Sequence, residues 1–402
     1  MAQMHRRVAL VGMYGGYFAE RNPGCFLILE ASLRALEQRL PETSFDIYSQ
    51  DTVGRTEGLR QEVVHGRTLH YFSSYAGPSL LDSRLGDYDA LVFGGDIILA
   101  PPPPPSVFFL ESPGFQPTTS PPIFYNAAHT SLSAEDIQYG RHAERLRRLC
   151  EHATYVGVRT VYARDALRTI GDPNKIAFAP DPALSLDLQA LVRTISSPAI
   201  ESQKKILGVS LMAHFIEPVV EAISNDAALL NEYEVWIYPY SRQYNHIEAV
   251  LRIRQRYGDR FKYIDRYQDP LDTVALMSQF DASINDTYHG TIVALLMGVP
   301  FLVIDREDPL RSRNRNLLEL FSLEERIVSS ARHGITDSNE QLLLDDALVQ
   351  HWAGFLQTLR ESPRGQARAL HDVQALVESH FDRIAQGILA ASPLTPNYPA
   401  SA

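Results

Sequence analysis

The segment 281–304 carries the residues best suited to chemistry. It reads DASINDTYHGTIVALLMGVPFLVI, in which an apolar run ends in a polar group around His289. A helical pattern follows from Thr291 to Met297, and Gly298 leads into a second apolar run. This spacing predicts a parallel strand–helix–strand unit. Ligands of open α/β sheets bind where strands end and helices begin, and free N–H groups at a helix start attract anions.

His289 is the candidate catalytic residue of this segment. It stands at a predicted helix start, between Asp286 and Gly290. A histidine in such a place is suited to general acid–base work, and we favour this hypothesis over a purely structural role. The neighbouring candidates for substrate binding are Asn285, Thr287, Tyr288 and Gly290.

Further candidates follow other predicted strands. Arg159 comes directly after one of them, and a guanidinium can hold a phosphate or carboxylate by two parallel hydrogen bonds. The opening loop, GMYGGYFAERNPGC at residues 12–25, is rich in glycine but lacks the G-x-G-x-x-G spacing of dinucleotide sites. Its glycines could contact a ligand or simply form a turn, and both interpretations stay open. The remaining substrate-binding candidates are Tyr14, Gly16, Asn22, Gly95, Asp96, Asn126, Ser210, Tyr238 and Arg313.

Several kinds of site are not indicated. His129, His214 and His246 also follow predicted strands, but their spacing is not that of metal ligands, so we expect no metal and no cofactor. The two cysteines, Cys25 and Cys150, favour neither a disulfide framework nor a thiolate metal site. No serine-hydrolase elbow is present.

Composition limits the class of protein. The chain has 402 residues, 45% hydrophobic and 21% charged, with a net charge of −11 and a pI near 5.6. This length predicts two domains, and the acidity argues against nucleic acid or an anionic membrane as partner. The apolar run near the N-terminus is shorter than a signal peptide needs, and no segment predicts a membrane span. We expect a cytoplasmic enzyme with small-molecule partners, which could be a homodimer.

Strands and helices alternate along both halves of the chain, which predicts parallel sheets. Predicted strands are Val8–Gly12, Phe45–Tyr48, Ala90–Phe93, Ile123–Asn126, Tyr155–Val158, Ile176–Ala179, Ile206–Leu211, Val235–Tyr238, Phe261–Ile264, Ala282–Asn285 and Phe301–Ile304. Predicted helices are Phe26–Leu40, Ala134–Cys150, Val161–Ile170, Pro218–Glu232, Asn245–Tyr257, Leu271–Gln279, Gln341–Leu359 and Ala367–Ala390. The prolines at 101–105 predict a stiff loop, and residues 187–204 a linker.

The expected fold is α/β, with two Rossmann-like domains facing each other across a cleft, followed by C-terminal helices. We place an N-terminal domain at 1–190, a second domain at 200–362, and a C-terminal helix and tail at 363–402.

The chain resembles the polysaccharide pyruvyl transferase family over most of residues 8–320. The matching blocks are GMYGGYFAERNPGC, DYDALVFGGDIIL, TYVGVRTVYARDALRTIG, FAPDPALSL and SINDTYHGTIVALLMGVPFLVI. Family enzymes are GT-B-like and transfer a pyruvyl group from phosphoenolpyruvate to sugar hydroxyls. The resemblance implies that His289 is the acid/base and that Arg159 binds the donor's phosphate or carboxylate.

The chain departs from the family pattern beside the histidine. Thr287 and Tyr288 stand where the family has arginine and leucine, so one expected donor contact is missing. Arg311, Arg313 or Arg315 is a candidate for the replacement charge. Two other functions stay open: a GT-B glycosyltransferase holding a nucleotide sugar near Ser210, Tyr238 and His289, and a non-catalytic binding protein.

Overall fold

A computed structural model describes most of the chain. The described residues are 5–12, 22–51, 60–64, 67–73, 85–94, 97–99, 120–130, 132–140, 143–195, 199–242, 246–305, 312–329 and 366–391. Contacts divide the chain into two compact units. The first comprises Met1–Ala19, Cys25–Ser185 and Val373–Ala402, and the second Glu20–Gly24 and Leu186–Asp372.

The strands are short and mostly buried. They are β1 Arg6–Gly12, β2 Thr43–Asp51, β3 Arg60–Val64, β4 Arg67–Ser73, β5 Ala90–Gly94, β6 Ile97–Leu99, β7 Ile123–Thr130, β8 Tyr155–Val158, β9 Ile176–Phe178, β10 Lys205–Ser210, β11 Tyr233–Ile237, β12 Lys262–Tyr263, β13 Ala282–Asn285, β14 Phe301–Asp305 and β15 Ile327–Ser329.

The helices alternate with these strands. They are α1 Pro23–Arg39, α2 Ala134–Tyr139, α3 Ala143–His152, α4 Val161–Arg168, α5 Leu188–Val192, α6 Ala213–Asn225, α7 Ala227–Glu232, α8 His246–Tyr257, α9 Pro270–Met277, α10 Tyr288–Met297, α11 Arg313–Glu319 and α12 Gln366–Ala390. The structure also has 3₁₀ turns at Leu85–Asp87, Pro182–Ser185, Gly258–Arg260 and Glu324–Arg326.

Each unit is built on one sheet. In the described part of the first unit the strand order is β3-β4-β2-β1-β5-β7-β8-β9, with β6 paired to β7, and in the second it is β12-β11-β10-β13-β14-β15. All pairs are parallel except the β3–β4 hairpin, which the sequence did not predict. In both sheets the chain starts at the centre, runs to one side and returns to the other, as in Rossmann folds. The predicted α/β class with two Rossmann-like domains is confirmed.

In the second sheet the chain changes direction between β10 and β13. Ligands of open α/β sheets bind beyond the carboxyl ends of the strands at this topological switch point. Ser210 at the end of β10 is in register with Asn285 at the end of β13. These two residues therefore mark where a site is expected.

The predicted strand–helix–strand unit at 281–304 is confirmed as β13, α10 and β14. Each residue of β13 and β14 is buried, and so is α10 from Gly290 to Leu295. The hydrophobic core of the second unit includes Ala282, Ile284, Leu302 and Ile304 from the two strands. Gly298 ends the helix in the left-handed conformation, with φ of 68°, which glycine adopts without steric cost. Local signals therefore determine both ends of this unit.

Three predicted elements are corrected by the structure. The helix Ala134–Cys150 is two helices, because Gly140 leaves helical geometry with ψ of 172° at the end of α2. The helix expected at Pro218–Glu232 is α6 and α7, with Pro218 inside α6. The predicted linker 187–204 contains α5, which Asp187 caps by accepting a hydrogen bond from Ala190 N at 2.9 Å. This helix packs against α10.

The C-terminal helix is confirmed as α12, and from Val373 it belongs to the first unit. The predicted helix Gln341–Leu359 and the proline-rich loop at 101–105 lie outside the described residues. Among the helices that the structure describes, none is both long enough and apolar enough to cross a membrane.

Candidate active site

The first turn of α10 is closed by its own side chains. Thr287 is the N-cap residue, and its Oγ1 accepts a hydrogen bond from Gly290 N at 3.2 Å. Thr291 N donates to Thr287 O at 3.0 Å, and an ideal Cβ at Gly290 would lie 2.5 Å from Thr287 Oγ1. The threonine side chain therefore fills the space that a side chain at position 290 would need, and a role of Gly290 in substrate binding stays a prediction.

Thr287 has the role of a cap. Threonine in this position stabilises a helix by about 1 kcal/mol through the bond to the first-turn N–H. The arginine that the resemblance leads one to expect at this position carries no acceptor for that bond. Threonine can therefore cap the helix where arginine could not.

His289 lies in the second helical position of α10 and is half-buried. Its ring meets the ring of Tyr288 edge-on, with centroids 5.1 Å apart. Gly24, which belongs to the same unit, also lies against it: an ideal Cβ there would be 2.2 Å from Nδ1 of His289. Any residue larger than glycine at position 24 would have to displace the imidazole.

The opening loop ends in a helix cap beside this contact. Asn22 Oδ1 accepts a hydrogen bond from Gly24 N at 2.9 Å, and Pro23 follows as the first residue of α1. Asn22 is 7% exposed. The structure thus places the predicted residue Asn22 two positions from a glycine that touches His289.

A guanidinium lies on the other side of Tyr288. Arg313 begins α11, and its Cζ is 5.7 Å from the centre of the Tyr288 ring. Ser312 caps this helix by accepting from Arg315 N at 2.9 Å and itself donates to the carboxylate of Asp305, at the end of β14. The sequence left the choice among Arg311, Arg313 and Arg315 open, and the structure brings Arg313 to the histidine's neighbour.

Three buried polar side chains lie at or directly after the carboxyl ends of β10, β11 and β13. Ser210 Oγ, Tyr238 OH and Asn285 Nδ2 have no hydrogen-bond partner within the part of the chain that the structure describes. Each residue is about 1% exposed, and such groups normally pair. Asn285 Oδ1 accepts from Thr291 Oγ1 at 3.2 Å, so the amide lies against the first turn of α10. Burial raises the pKa of the Tyr238 phenol, and the charge of Asp286 adds to this rise.

Two residues beside these groups were not assigned a function from sequence. The Asp286 carboxylate accepts a hydrogen bond from Met212 N at 2.7 Å, and His246 Nε2 lies 3.8 Å from its Oδ1. Both side chains are 0% exposed. The sequence showed that each follows a predicted strand, but only the fold, in which β10 lies between β11 and β13, shows that the two side chains meet.

Arg159 does not have the expected position. It lies in the first unit with 4% of its side chain exposed, and its Nη1 is 3.0 Å from Oδ2 of the buried Asp181. Its Nε donates to Ala127 O at 2.5 Å. A buried guanidinium requires a carboxylate partner, and Asp181 provides it within the fold. A ligand role of Arg159 stays a prediction.

Asn126 is also part of a buried network in the first unit. Its Nδ2 donates to Ser32 Oγ at 2.8 Å, and its Oδ1 is 2.9 Å from Nε2 of His380, on α12. Nδ1 of His380 lies 2.8 Å from the hydroxyl of Tyr155. The side chain of Asn126 thus connects the C-terminal helix to the sheet, and its role in substrate binding stays a prediction.

The remaining predictions have mixed outcomes. Tyr14, Gly16, Gly95 and Asp96 lie outside the described residues.

Both cysteines are buried, as expected for structural thiols, and burial raises the pKa of Cys150 to about 12. In the described residues no three His, Cys, Asp or Glu side chains cluster as a metal site would require.

Asn22, Gly24 and His289 all lie within the part of the chain that a protein-family model matches. The model of the polysaccharide pyruvyl transferase family matches residues 22–308. The chain belongs to this family. It is accordingly a transferase. A search of the curated proteins found no match.

Solved structures of low sequence identity share the fold of this pyruvyl transferase family member. A trehalose-phosphate synthase from Burkholderia vietnamiensis is 13% identical with a TM-score of 0.58, covering 98% of this chain and 100% of that one. A UDP-GlcNAc 2-epimerase from Neisseria meningitidis is 12% identical with a TM-score of 0.55, covering 95% and 99%. A putative UDP-N-acetylglucosamine 2-epimerase from Listeria monocytogenes is 14% identical with a TM-score of 0.54, covering 94% and 98%. The expected GT-B-like class is confirmed.

Proposed function

We propose that this family member transfers a pyruvyl or enolpyruvyl group from phosphoenolpyruvate to a hydroxyl of a sugar or sugar-containing metabolite. His289 is the general acid/base. The observation that carries the proposal is the histidine at the start of α10, with the guanidinium of Arg313 stacked on the adjacent Tyr288. A proton donor and a cation therefore both lie against the ring of Tyr288, at the edge of the sheet where ligands bind.

The site offers the groups that an anionic donor requires. Arg313 supplies a positive charge in the absence of the family's arginine at position 287. The start of α10 adds the partial positive charge of a helix N-terminus. Ser210, Tyr238 and Asn285 carry buried polar hydrogens with no partner in the described residues, and these could donate to a carboxylate or phosphate.

The reaction proceeds by addition and elimination at C2 of phosphoenolpyruvate. His289 gives a proton to the C3 methylene, while the oxygen of an acceptor hydroxyl bonds to C2 and its proton returns to the imidazole. The C2–O bond to phosphate then breaks and releases inorganic phosphate. A second hydroxyl that bonds to C2 and loses its proton completes a ketal, whereas loss of a C3 proton gives an enol ether. The proposal requires no cofactor besides the co-substrate.

A nucleotide sugar is the second candidate donor. Two solved structures of the same fold contain UDP sugars, the epimerase with UDP-GlcNAc and a trehalose-phosphate synthase from E. coli with UDP-2-fluoro glucose. The buried Ser210, at the end of β10, and Tyr238, directly after the adjacent β11, would lie beside such a donor.

The test is product formation with each donor. Wild type and His289→Gln are incubated with phosphoenolpyruvate or with UDP-glucose and UDP-GlcNAc, together with a panel of methyl hexosides. Phosphate release and product masses are followed. We expect phosphate and a product heavier by a pyruvate less water from wild type only. Transfer from UDP sugars without reaction of phosphoenolpyruvate would establish the second candidate.

A further inference from the structure

Asp286 links the two strands at the switch point. It follows β13 directly, and its fully buried carboxylate accepts a hydrogen bond from Met212 N at 2.7 Å. Met212 lies two residues beyond the end of β10. A carboxylate bonded to a backbone N–H forms a strong, charge-assisted bond, so this contact holds the exits of both strands together.

His246 brings the exit of a third strand to the same carboxylate. Its Nδ1 accepts hydrogen bonds from Tyr240 N at 3.1 Å and Ser241 N at 3.3 Å, in the turn after β11. Since Nδ1 accepts, the proton of the neutral ring is on Nε2. This atom lies 3.8 Å from Oδ1 of Asp286. Burial lowers the pKa of His246 to about 3, so the neutral form persists at ordinary pH.

The exits of β10, β11 and β13 thus converge on one carboxylate. Asp286 is followed at once by the cap residue Thr287, and the catalytic candidate His289 is three residues away. Both Asp286 and His246 are 0% exposed at their side chains, and their hydrogen bonds join them to backbone groups. Functional side chains need such support, because a displacement of about 1 Å can lower a rate about 100-fold.

We infer that Asp286 and His246 form a buried positioning pair that fixes the first turn of α10 and thereby orients His289. The inference rests on the proposed function for its catalytic consequence, while the orientation of the imidazole can be observed without substrate. Asp286→Asn keeps the size of the side chain but removes the charge. His246→Gln keeps an acceptor for the backbone and a donor towards Asp286, whereas His246→Phe keeps neither.

The test combines kinetics with NMR of His289. Phosphate release is measured with phosphoenolpyruvate and the methyl hexoside that wild type uses best, and the Cε1–H signal of His289 is assigned by its loss in His289→Gln. We expect Asp286→Asn and His246→Phe to lower kcat about 100-fold with KM for phosphoenolpyruvate close to wild type, and to shift the His289 signal. His246→Gln should recover most of the wild-type kcat and most of the wild-type position of the His289 signal.

A control variant on the same strand is Ser283→Ala, which removes a buried hydroxyl with no partner in the described residues and should change neither reading. An unshifted His289 signal in folded Asp286→Asn would overturn the inference, as would a rise in KM alone. If Asp286→Asn does not fold, His246→Gln and His246→Phe decide by the same two readings. If wild type does not use phosphoenolpyruvate, the proposed function fails, and the NMR signal still tests the positioning pair.

Discussion

The buried histidine of the first unit predicts a defined response to acid. His380 lies between Tyr155 and Asn126, and burial, with a smaller contribution from Arg383, lowers its pKa from 6.5 to about 3. Between these two values the unfolded chain binds a proton that the folded chain does not. The free energy of unfolding therefore falls as the pH drops below 6.5. At pH 5 this loss is about 2 kcal/mol relative to pH 7.

The perturbation that isolates this effect is His380→Phe. At pH 7 the variant removes the hydrogen bonds of His380 to Tyr155 and Asn126, at a cost of about 1–3 kcal/mol each. It has no imidazole to protonate, so it escapes the loss at pH 5. We expect the stability gap between wild type and variant to shrink by about 2 kcal/mol from pH 7 to pH 5.

The assay must report on the first unit alone. Hydrogen–deuterium exchange of peptides that span β7 and β8, corrected for the intrinsic exchange rate at each pH, gives the opening free energy of that sheet. His246, in the second unit, is present in both proteins and cancels from the difference. A gap that is equal at the two pH values, or larger at pH 5, would refute the reasoning.

Three further predictions concern the site and its support. Gly24→Ala should lower the rate of phosphate release about 100-fold, because its Cβ would lie 2.2 Å from Nδ1 of His289. The control Gly86→Ala, with no atom within 4 Å of the new Cβ, should leave that rate unchanged. An equal loss in both variants would contradict this prediction. Thr287→Ala should cost about 1 kcal/mol in urea unfolding of the second unit, and a neutral effect would show that the cap contributes nothing. Asp181→Asn should lower the opening free energy of the first unit by about 3–5 kcal/mol, measured by hydrogen–deuterium exchange at β8. A loss below about 1 kcal/mol, which is typical of exposed ion pairs, would contradict a buried Arg159–Asp181 pair.

The parts of the fold that the sequence predicted best have strong local signals. β13, α10 and β14 begin and end at or near the expected residues, because a cap at Thr287 and a left-handed glycine at Gly298 determine the helix. The split between α2 and α3 was missed because a single glycine does not by itself end a helix. The position of α5 depends on packing against α10, which no local pattern reveals.

The candidate site shows the same division. His289 could be located from a strand end and a helix start, both of which are local features. The ion pair of Arg159 was not predicted, because its partner, Asp181, is 22 residues away in sequence and is brought close only by the fold. Strand order likewise brings Asp286 to His246 and Arg313 to Tyr288. Strand order cannot be deduced from local sequence patterns.

The most direct test of the central claim is the affinity for phosphoenolpyruvate, measured by calorimetry in wild type and in Arg313→Gln. A charged hydrogen bond contributes about 1.5–3 kcal/mol, so loss of the guanidinium should raise the Kd about tenfold or more. Arg252→Gln removes an arginine that is about half exposed, on α8, and should leave the Kd unchanged. Absence of binding to wild type, or equal affinity in wild type and Arg313→Gln, would contradict a phosphoenolpyruvate site beside His289.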